Sequence, residues 1–227
     1  MEKINKISKK YKIPIIEDAA QSIGSKFNRK LAGSFGTVGC FSCHPLKNLN
    51  ASGDSGFLTT NNFKLYKQAL NLRNNGIENR NVIRNFGYLS RMDVLQSKIL
   101  NFRLKKLNGI IKKRRKHAET YFNNLDRKKI KIVFEKKNEF NTYHTFIIHS
   151  KKRDKLKKYL LKNGIETAIH YPVPIHLQPA AKSLNYKLGD FPITEKQSKE
   201  ILTLPINQYL NKKDILYVCK MINKFND

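Results

Sequence analysis

Residues 13–18 read Ile13-Pro14-Ile15-Ile16-Glu17-Asp18, a short apolar run closed by two acids. Upstream, Ile4, Ile7 and Tyr11 are spaced by three and four, the period of an amphipathic helix over residues 2–11, and Pro14 closes that helix off. A helix feeding a short, fully apolar strand with acids at its carboxyl end is the pattern of a buried parallel strand in an α/β sheet. Ligands in such sheets sit beyond the carboxyl ends of the strands, where Asp18 stands. An acid there can equally start a loop or cap a helix, so position alone leaves both roles open.

The flanking segments extend the α/β pattern. Residues 37–43 (TVGCFSC) read as a second strand, Gly53-Asp54-Ser55-Gly56 as a turn, and Phe57-Leu58-Thr59-Thr60 as a third strand. Asn61 or Asn62 can cap a helix running to about Arg73. The polar, Asn-rich stretch 74–90 is a loop long enough for a binding or subunit-contact role. From Asp93 to Leu125 apolar residues recur at helical spacing, and Gly109 marks the expected break between two helices. A strand over 143–149, a helix over 154–163 capped by Gly164, a strand over 166–170 and a last helix over 211–225 complete the pattern. Pro172, Pro174 and Pro179 punctuate the loop between them. The expected division is residues 1–110, part of a large α/β domain, and residues 111–227, a small α/β domain.

Composition excludes several classes. Of 227 residues, 40% are apolar and 10% aromatic, enough to bury a core, so wholesale disorder is excluded. No stretch approaches the roughly 20 apolar residues of a spanning helix, and the N-terminus lacks a secretory apolar block. Three cysteines, Cys40, Cys43 and Cys219, form no disulfide framework, which points to a reduced, cytoplasmic protein. The net charge of +28 has the sign of a nucleic-acid binder. Its lysines, however, are spread through nearly every segment. The one dense run, Lys112-Lys113-Arg114-Arg115-Lys116, goes around more than one helical turn and makes a collar rather than a groove-facing stripe. Nucleic-acid binding is therefore not the expected function. Cys40 and Cys43 have CxxC spacing, yet residues three apart on a strand face opposite sides and no second pair completes a site, so no metal is expected.

The chemistry concentrates in Phe41-Ser42-Cys43-His44-Pro45-Leu46-Lys47-Asn48-Leu49. A lysine leaving a buried strand through a Pro-containing turn is a candidate for a partly desolvated amine, a form that attacks carbonyls. In so lysine-rich a chain this alone is a weak signal. Joined with Asp18 at a neighbouring strand end and Ser42 before the turn, it gains meaning. An amine for an imine, a carboxylate for a ring nitrogen and a hydroxyl for a phosphate are what a pyridoxal phosphate site requires.

Four motifs in order, IPIIEDAAQ at 13–21, GCFSCHPLKNLNASGD at 39–54, RMDVLQSKIL at 91–100 and HYPVPIHLQP at 170–179, resemble the DegT/DnrJ/EryC1/StrS family over essentially the whole chain. The resemblance implies a pyridoxal-phosphate-dependent sugar aminotransferase of fold type I, aspartate aminotransferase-like. It implies that Lys47 joins the cofactor's aldehyde and carries the proton of the transamination, and that Asp18 keeps the pyridine nitrogen protonated. By the same resemblance Gln21 contacts the 3-hydroxyl side, Ser42 binds the phosphate, and His170, Tyr171 and His176 lie on the loop approaching the substrate. Relatives with histidine in place of this lysine dehydrate; Lys47 favours transamination between an amino-acid donor, usually glutamate, and a nucleotide-linked keto-sugar. The product is an amino sugar for surface polysaccharide or a related glycan.

The same resemblance carries departures. Met1 aligns with an internal point of longer relatives, so the expected protein is a C-terminal portion that pairs with a complementary N-terminal half, or a homodimer as in the family. Leu89 stands where an asparagine is common, Asn50 and Ser55 where glycine is frequent, and His44 where an aromatic is frequent. They admit a second reading, a non-catalytic remnant or interaction subunit that keeps the fold without turnover.

Overall fold

The computed structural model describes residues 1–225. In chain order it contains α1 (Glu2–Tyr11), β1 (Ile16–Asp18), β2 (Lys26–Phe27), β3 (Lys30–Leu31), β4 (Val38–Ser42), β5 (Gly56–Thr59), α2 (Phe63–Leu72), β6 (Ile77–Asn79), β7 (Val82–Ile83), α3 (Val94–Leu104) and α4 (Leu107–Asn124). There follow β8 (Lys131–Ile132), β9 (Glu139–Phe140), β10 (Phe146–His149), α5 (Arg153–Lys162), α6 (Pro192–Glu200), β11 (Ile201–Leu204) and α7 (Lys212–Lys224). Two 3₁₀ turns, Ile175–Leu177 and Pro179–Leu184, lie between α5 and α6. The chain divides into unit one, Met1–Ile111 with Glu135–Thr142, and unit two, Lys112–Phe134 with Tyr143–Asp227. Among the described residues no helix is long and apolar enough to cross a membrane.

Unit one is built on the sheet β1-β4-β5. β1 and β4 run parallel, Ile16 opposite Val38 and Asp18 opposite Cys40, and β5 returns antiparallel with Gly56 opposite Ser42. The expected parallel strand is present, but it is not buried: β1 is the edge of its sheet and Ile16 is 71% exposed, since no described strand covers its outer side. Glu17 anchors this edge. Its carboxylate accepts the backbone N–H groups of Gly33 (2.8 Å), Phe35 and Gly36 (2.6 Å). The loop it holds comes so close to β4 that a Cβ on Gly39 would stand 2.4 Å from the Gly33 carbonyl oxygen, which explains a glycine inside a strand. The core of the unit is Cys43, Leu49, Ala51, Leu100, Leu107 and Ile111.

Three expectations need correction here and in unit two. The helical stretch 93–125 breaks at residues 105–106, not at Gly109. Gly109 lies in the first turn of α4, where backbone N–H groups have no partner inside the helix and a flexible residue costs little. The loop 74–90 is not structureless: β6 and β7 pair as a hairpin, with Arg84 bidentate on Glu78 at 2.8 and 2.9 Å. The strand expected over 166–170 reduces to one bridge, Ala168 with Thr203, since the two N–H···O bonds of that pair are the backbone bonds this stretch makes with β11 among the described residues.

Unit two stacks helices on the antiparallel sheet β11-β10-β8. β10 and β11 alternate buried and half-buried residues, the period-two pattern of a sheet with one face in a core. Tyr121, Phe146, Ile148, Leu160, Leu202, Ile215 and Ile222 form that core. The Tyr121 ring stacks on Phe146 at 4.7 Å and its hydroxyl donates to the Pro205 carbonyl at 2.6 Å. α7 starts on a capping box between Asn211 and Asp214, satisfying N–H groups the helix itself cannot. Within the basic collar on α4, Lys112, Lys113 and Lys116 are exposed while Arg114 is buried. Its guanidinium donates to the carbonyls of Tyr143 and His144 and to Gln208, and burial pulls its pKa down to about 10.

Ile148→Ala, at a fully buried β10 position, is expected to lower the unfolding free energy of unit two by about 2–5 kcal/mol in urea titrations, through lost transfer energy and the cavity left behind. Ile4→Ala, on the half-exposed face of α1, is expected to change stability by less than about 1 kcal/mol.

Candidate functional site

Parallel pairing brings the carboxyl ends of β1 and β4 together, and the Ala19 N–H donates to the Cys40 carbonyl at 2.9 Å just beyond them. Asp18, the last residue of β1, is exposed; its Oδ1 accepts the Ala20 N–H at 3.1 Å. That bond turns the chain at the strand end, and the carboxylate stays exposed. Gln21 is exposed two residues past Ala19, on the turn closed by the Ser22 N–H on the Ala19 carbonyl. Ser42 ends β4, half-buried, and its Oγ accepts the His44 N–H at 3.3 Å.

Lys47 lies on the loop that follows. The Lys47 N–H closes a turn on the His44 carbonyl at 2.8 Å, and the Ala51 N–H returns to the Cys43 carbonyl at 2.8 Å. Asn48 and Leu49 next to it are buried, and Asn48 donates to the Thr142 carbonyl at 3.0 Å. From the other side, Arg103 donates to the Asn50 and Ala51 carbonyls at 2.7 and 3.2 Å. These bonds fix the backbone on both sides of Lys47, which is itself half-buried and stands in none of the ion pairs of the described residues. Unit one therefore places Asp18, Gln21, Ser42 and Lys47 at the same end of one sheet. Among the departures, Asn50 has a structural part: its amide donates to the Pro45 carbonyl at 2.6 Å and closes the lysine loop. Leu89 is 68% exposed.

His170, Tyr171 and His176 belong to unit two. His170 and Tyr171 line a cavity of about 580 Å³ together with Val173, Gln178 and Gln197, and His170 Nδ1 lies 3.0 Å from Thr203 Oγ1. His176 is not on that surface. It is buried, its ring 4.7 Å from Phe191 and its Nε2 3.0 Å from Glu195 Oε1. Glu195 also accepts the N–H groups of Gly189 and Phe191, so one carboxylate ties the loop to the start of α6. Sequence reasoning passed over Glu195, although an acid in the first turn of a helix opening on Pro192 is a readable signal. It also passed over Glu17, whose partner loop lies up to 19 residues away. Burial acts to raise the Glu195 pKa, but the Gly189 and Phe191 amides and the His176 ring outweigh it and hold the carboxyl below its ordinary 4.5.

The cysteines differ in environment. Cys43 sits in the core of unit one and Cys219 in that of unit two; burial raises both thiols, Cys219 to about 12, while Cys40 on β4 is half-buried.

The model of the DegT/DnrJ/EryC1/StrS aminotransferase family matches residues 1–223, and the chain belongs to that family. It is 38% identical over 228 residues to a pleiotropic regulatory protein of Geobacillus stearothermophilus, covering 99% of this chain and 61% of that protein. It is 35% identical over 225 residues to the dTDP-3-amino-3,6-dideoxy-alpha-D-galactopyranose transaminase of Aneurinibacillus thermoaerophilus, again covering 99% and 61%. The crystal structure of S. venezuelae DesV in complex with a ketimine intermediate superposes with a TM-score of 0.95 at 29% identity, covering all of this chain and 62% of that one. The fold is accordingly the α/β fold of the fold type I pyridoxal-phosphate-dependent transferases. The chain spans about three-fifths of the length of these relatives.

A depressed carboxyl stabilises the fold above its unfolded pKa, and that contribution is lost as pH falls through the folded value. Glu195→Gln is expected to melt at a lower temperature than the parent at pH 7. Below pH 4.5 the two curves should converge, as circular-dichroism melts across that range will show.

Proposed function

We propose that the chain works in a pyridoxal-phosphate-dependent aminotransferase that moves an amino group from an amino-acid donor, glutamate by resemblance, to a nucleotide-linked keto-sugar. The observation that carries this reading is the placement of a half-buried, unpaired lysine on a rigidly held loop at the strand ends that also present Asp18 and Ser42. The donor set fits the cofactor: an amine for its aldehyde, a carboxylate for its ring nitrogen and a hydroxyl for its phosphate. Bound pyridoxal phosphate supplies an electron sink for the carbon that loses its proton. Lys47 Nζ holds the cofactor and then moves a proton between the two carbon centres. Asp18 keeps a proton on the ring nitrogen, because a carboxylate beside a cation favours the charged pair. Ser42 donates to the phosphate and Gln21 contacts the 3-hydroxyl side. His170 and Tyr171 supply the sugar-facing surface, and His176, through Glu195, holds their loop in place.

The relatives' names support the substrate class, since one of them is a dTDP-amino-sugar transaminase. Exposed apolar residues of unit one, among them Ile4, Ile7 and Tyr11 on α1 and Phe57 and Leu58 on β5, support association with a second copy or a complementary segment. Three free cysteines suit a cytoplasmic setting.

Incubating the chain with pyridoxal phosphate, reducing with borohydride and mapping peptides by mass spectrometry should place the added mass on Lys47, and Lys47→Ala should abolish it. A label scattered over many lysines, or none, overturns the catalytic reading and leaves the interaction subunit in its place.

A further inference from the structure

The stretch Glu135–Thr142 is an excursion of the chain. It belongs to unit one, although the strands on either side of it, β8 and β10, are paired in the sheet of unit two. Within unit one it joins two loops that lie far apart in sequence. β9 pairs antiparallel with β2, Lys26 opposite Phe140 and Phe27 opposite Glu139, which carries Thr142 to Ser25. Thr142 is fully buried, and its Oγ1 lies 3.1 Å from Ser25 Oγ, within hydrogen-bond reach. Its carbonyl accepts Asn48 Nδ2 at 3.0 Å, from the residue next to Lys47.

Hydrogen bonds continue from Ser25 back to the acid. The Ser25 N–H donates to the Ser22 carbonyl at 2.9 Å and the Ser22 N–H to the Ala19 carbonyl at 3.0 Å, one residue past Asp18. Gly24, at a φ of +79°, lets this turn come so close that a Cβ there would stand 2.6 Å from Ile111 Cδ1 and 3.6 Å from Thr142 Cγ2. Packing follows the same lines. Ile23 from the turn and Phe140 from the excursion both lie against the core that contains Cys43 and Leu49. Asn48 is a costly residue for so buried a position: its Oδ1 has no partner among the described residues, where an apolar side chain would leave nothing unsatisfied. What its amide contributes is direction, since Nδ2 ties the lysine loop to one fixed carbonyl.

We propose that Thr142 and Asn48 are positioning residues, a clamp that sets Lys47 in register with Asp18 for the cofactor both would hold. The proposal rests on the reading of Lys47 and Asp18 given above, and it asks neither Thr142 nor Asn48 to touch cofactor or substrate. One threonine serves both loops, its hydroxyl toward the acid turn and its carbonyl toward the lysine loop, so a shift in one is felt by the other. Catalytic groups need this kind of support, because a small misplacement costs much of the rate and only packing and hydrogen bonds behind the site prevent it.

Amide hydrogen exchange of the full chain without cofactor, read by mass spectrometry, tests the clamp. Thr142→Val keeps the shape and loses the hydroxyl; it should speed exchange in both 19–25 and 43–51 about fivefold or more, while Thr142→Ser stays within about twofold of the parent. Thr60→Val, which loses a hydroxyl bond to the Thr37 carbonyl (2.7 Å) in the same unit, should move neither stretch by more than about twofold. With pyridoxal phosphate and borohydride, the mass on Lys47 relative to other lysines should fall about fivefold in Thr142→Val and in Asn48→Leu, and hold in Thr142→Ser and Thr60→Val. Faster exchange in only one stretch, the same change in Thr60→Val, or an undiminished share on Lys47 in Thr142→Val or Asn48→Leu overturns the proposal. A parent chain that carries no mass on Lys47 overturns the aminotransferase reading instead, and the exchange rates still confirm or overturn the clamp.

Discussion

The parallel pairing of β1 with β4 is the constraint on which the candidate site depends. It sets Asp18 opposite Cys40, brings Ser42 to the same end of the sheet and fixes where the lysine loop begins. An edge strand of three residues is weak by itself. Glu17 compensates by gathering three backbone N–H groups from the loop before β4, so that two adjacent acids divide the work: Glu17 braces the sheet and Asp18 is left available. Alternation along a strand makes this division unavoidable, because neighbouring side chains point to opposite faces.

The same economy governs the lysine loop. Asn48, Leu49 and Ala51 are buried, and Arg103 and Asn50 satisfy carbonyls that the loop would otherwise leave bare. Only with its neighbours fixed this way can a long, flexible amine be held near one place without an ion pair. Unit two solves a different problem with similar means. The loop 170–179 is rich in proline and short of backbone donors, and the buried Glu195 carboxylate gathers His176 and the amides of Gly189 and Phe191.

Charge was the most misleading global feature of the sequence. A total of +28 suggests one long polyanionic partner, yet the structure gives the cations several distinct settings. Arg114 is buried and serves carbonyls, Arg84 pairs with Glu78 on a hairpin, and Arg127 donates to the Phe122 carbonyl with its guanidinium over the Phe134 ring. Composition averages over these settings and so cannot tell them apart.

The sequence by itself determined the α/β class, the family and the positions of Asp18, Ser42 and Lys47, because hydrophobic period, proline placement and motif order are local signals. Helix α1, β4, α5 and α7 were legible for the same reason. The edge position of β1, the break at residues 105–106 and the single bridge at Ala168 were not, since each depends on what lies beside the segment rather than within it. The two-residue strands β2, β3, β8 and β9 carry too few residues to show a period at all. Glu17, Glu195 and the bond from Asn48 to Thr142 were decided only in three dimensions, because hydrogen bonds act between groups that the chain brings together from far apart in sequence.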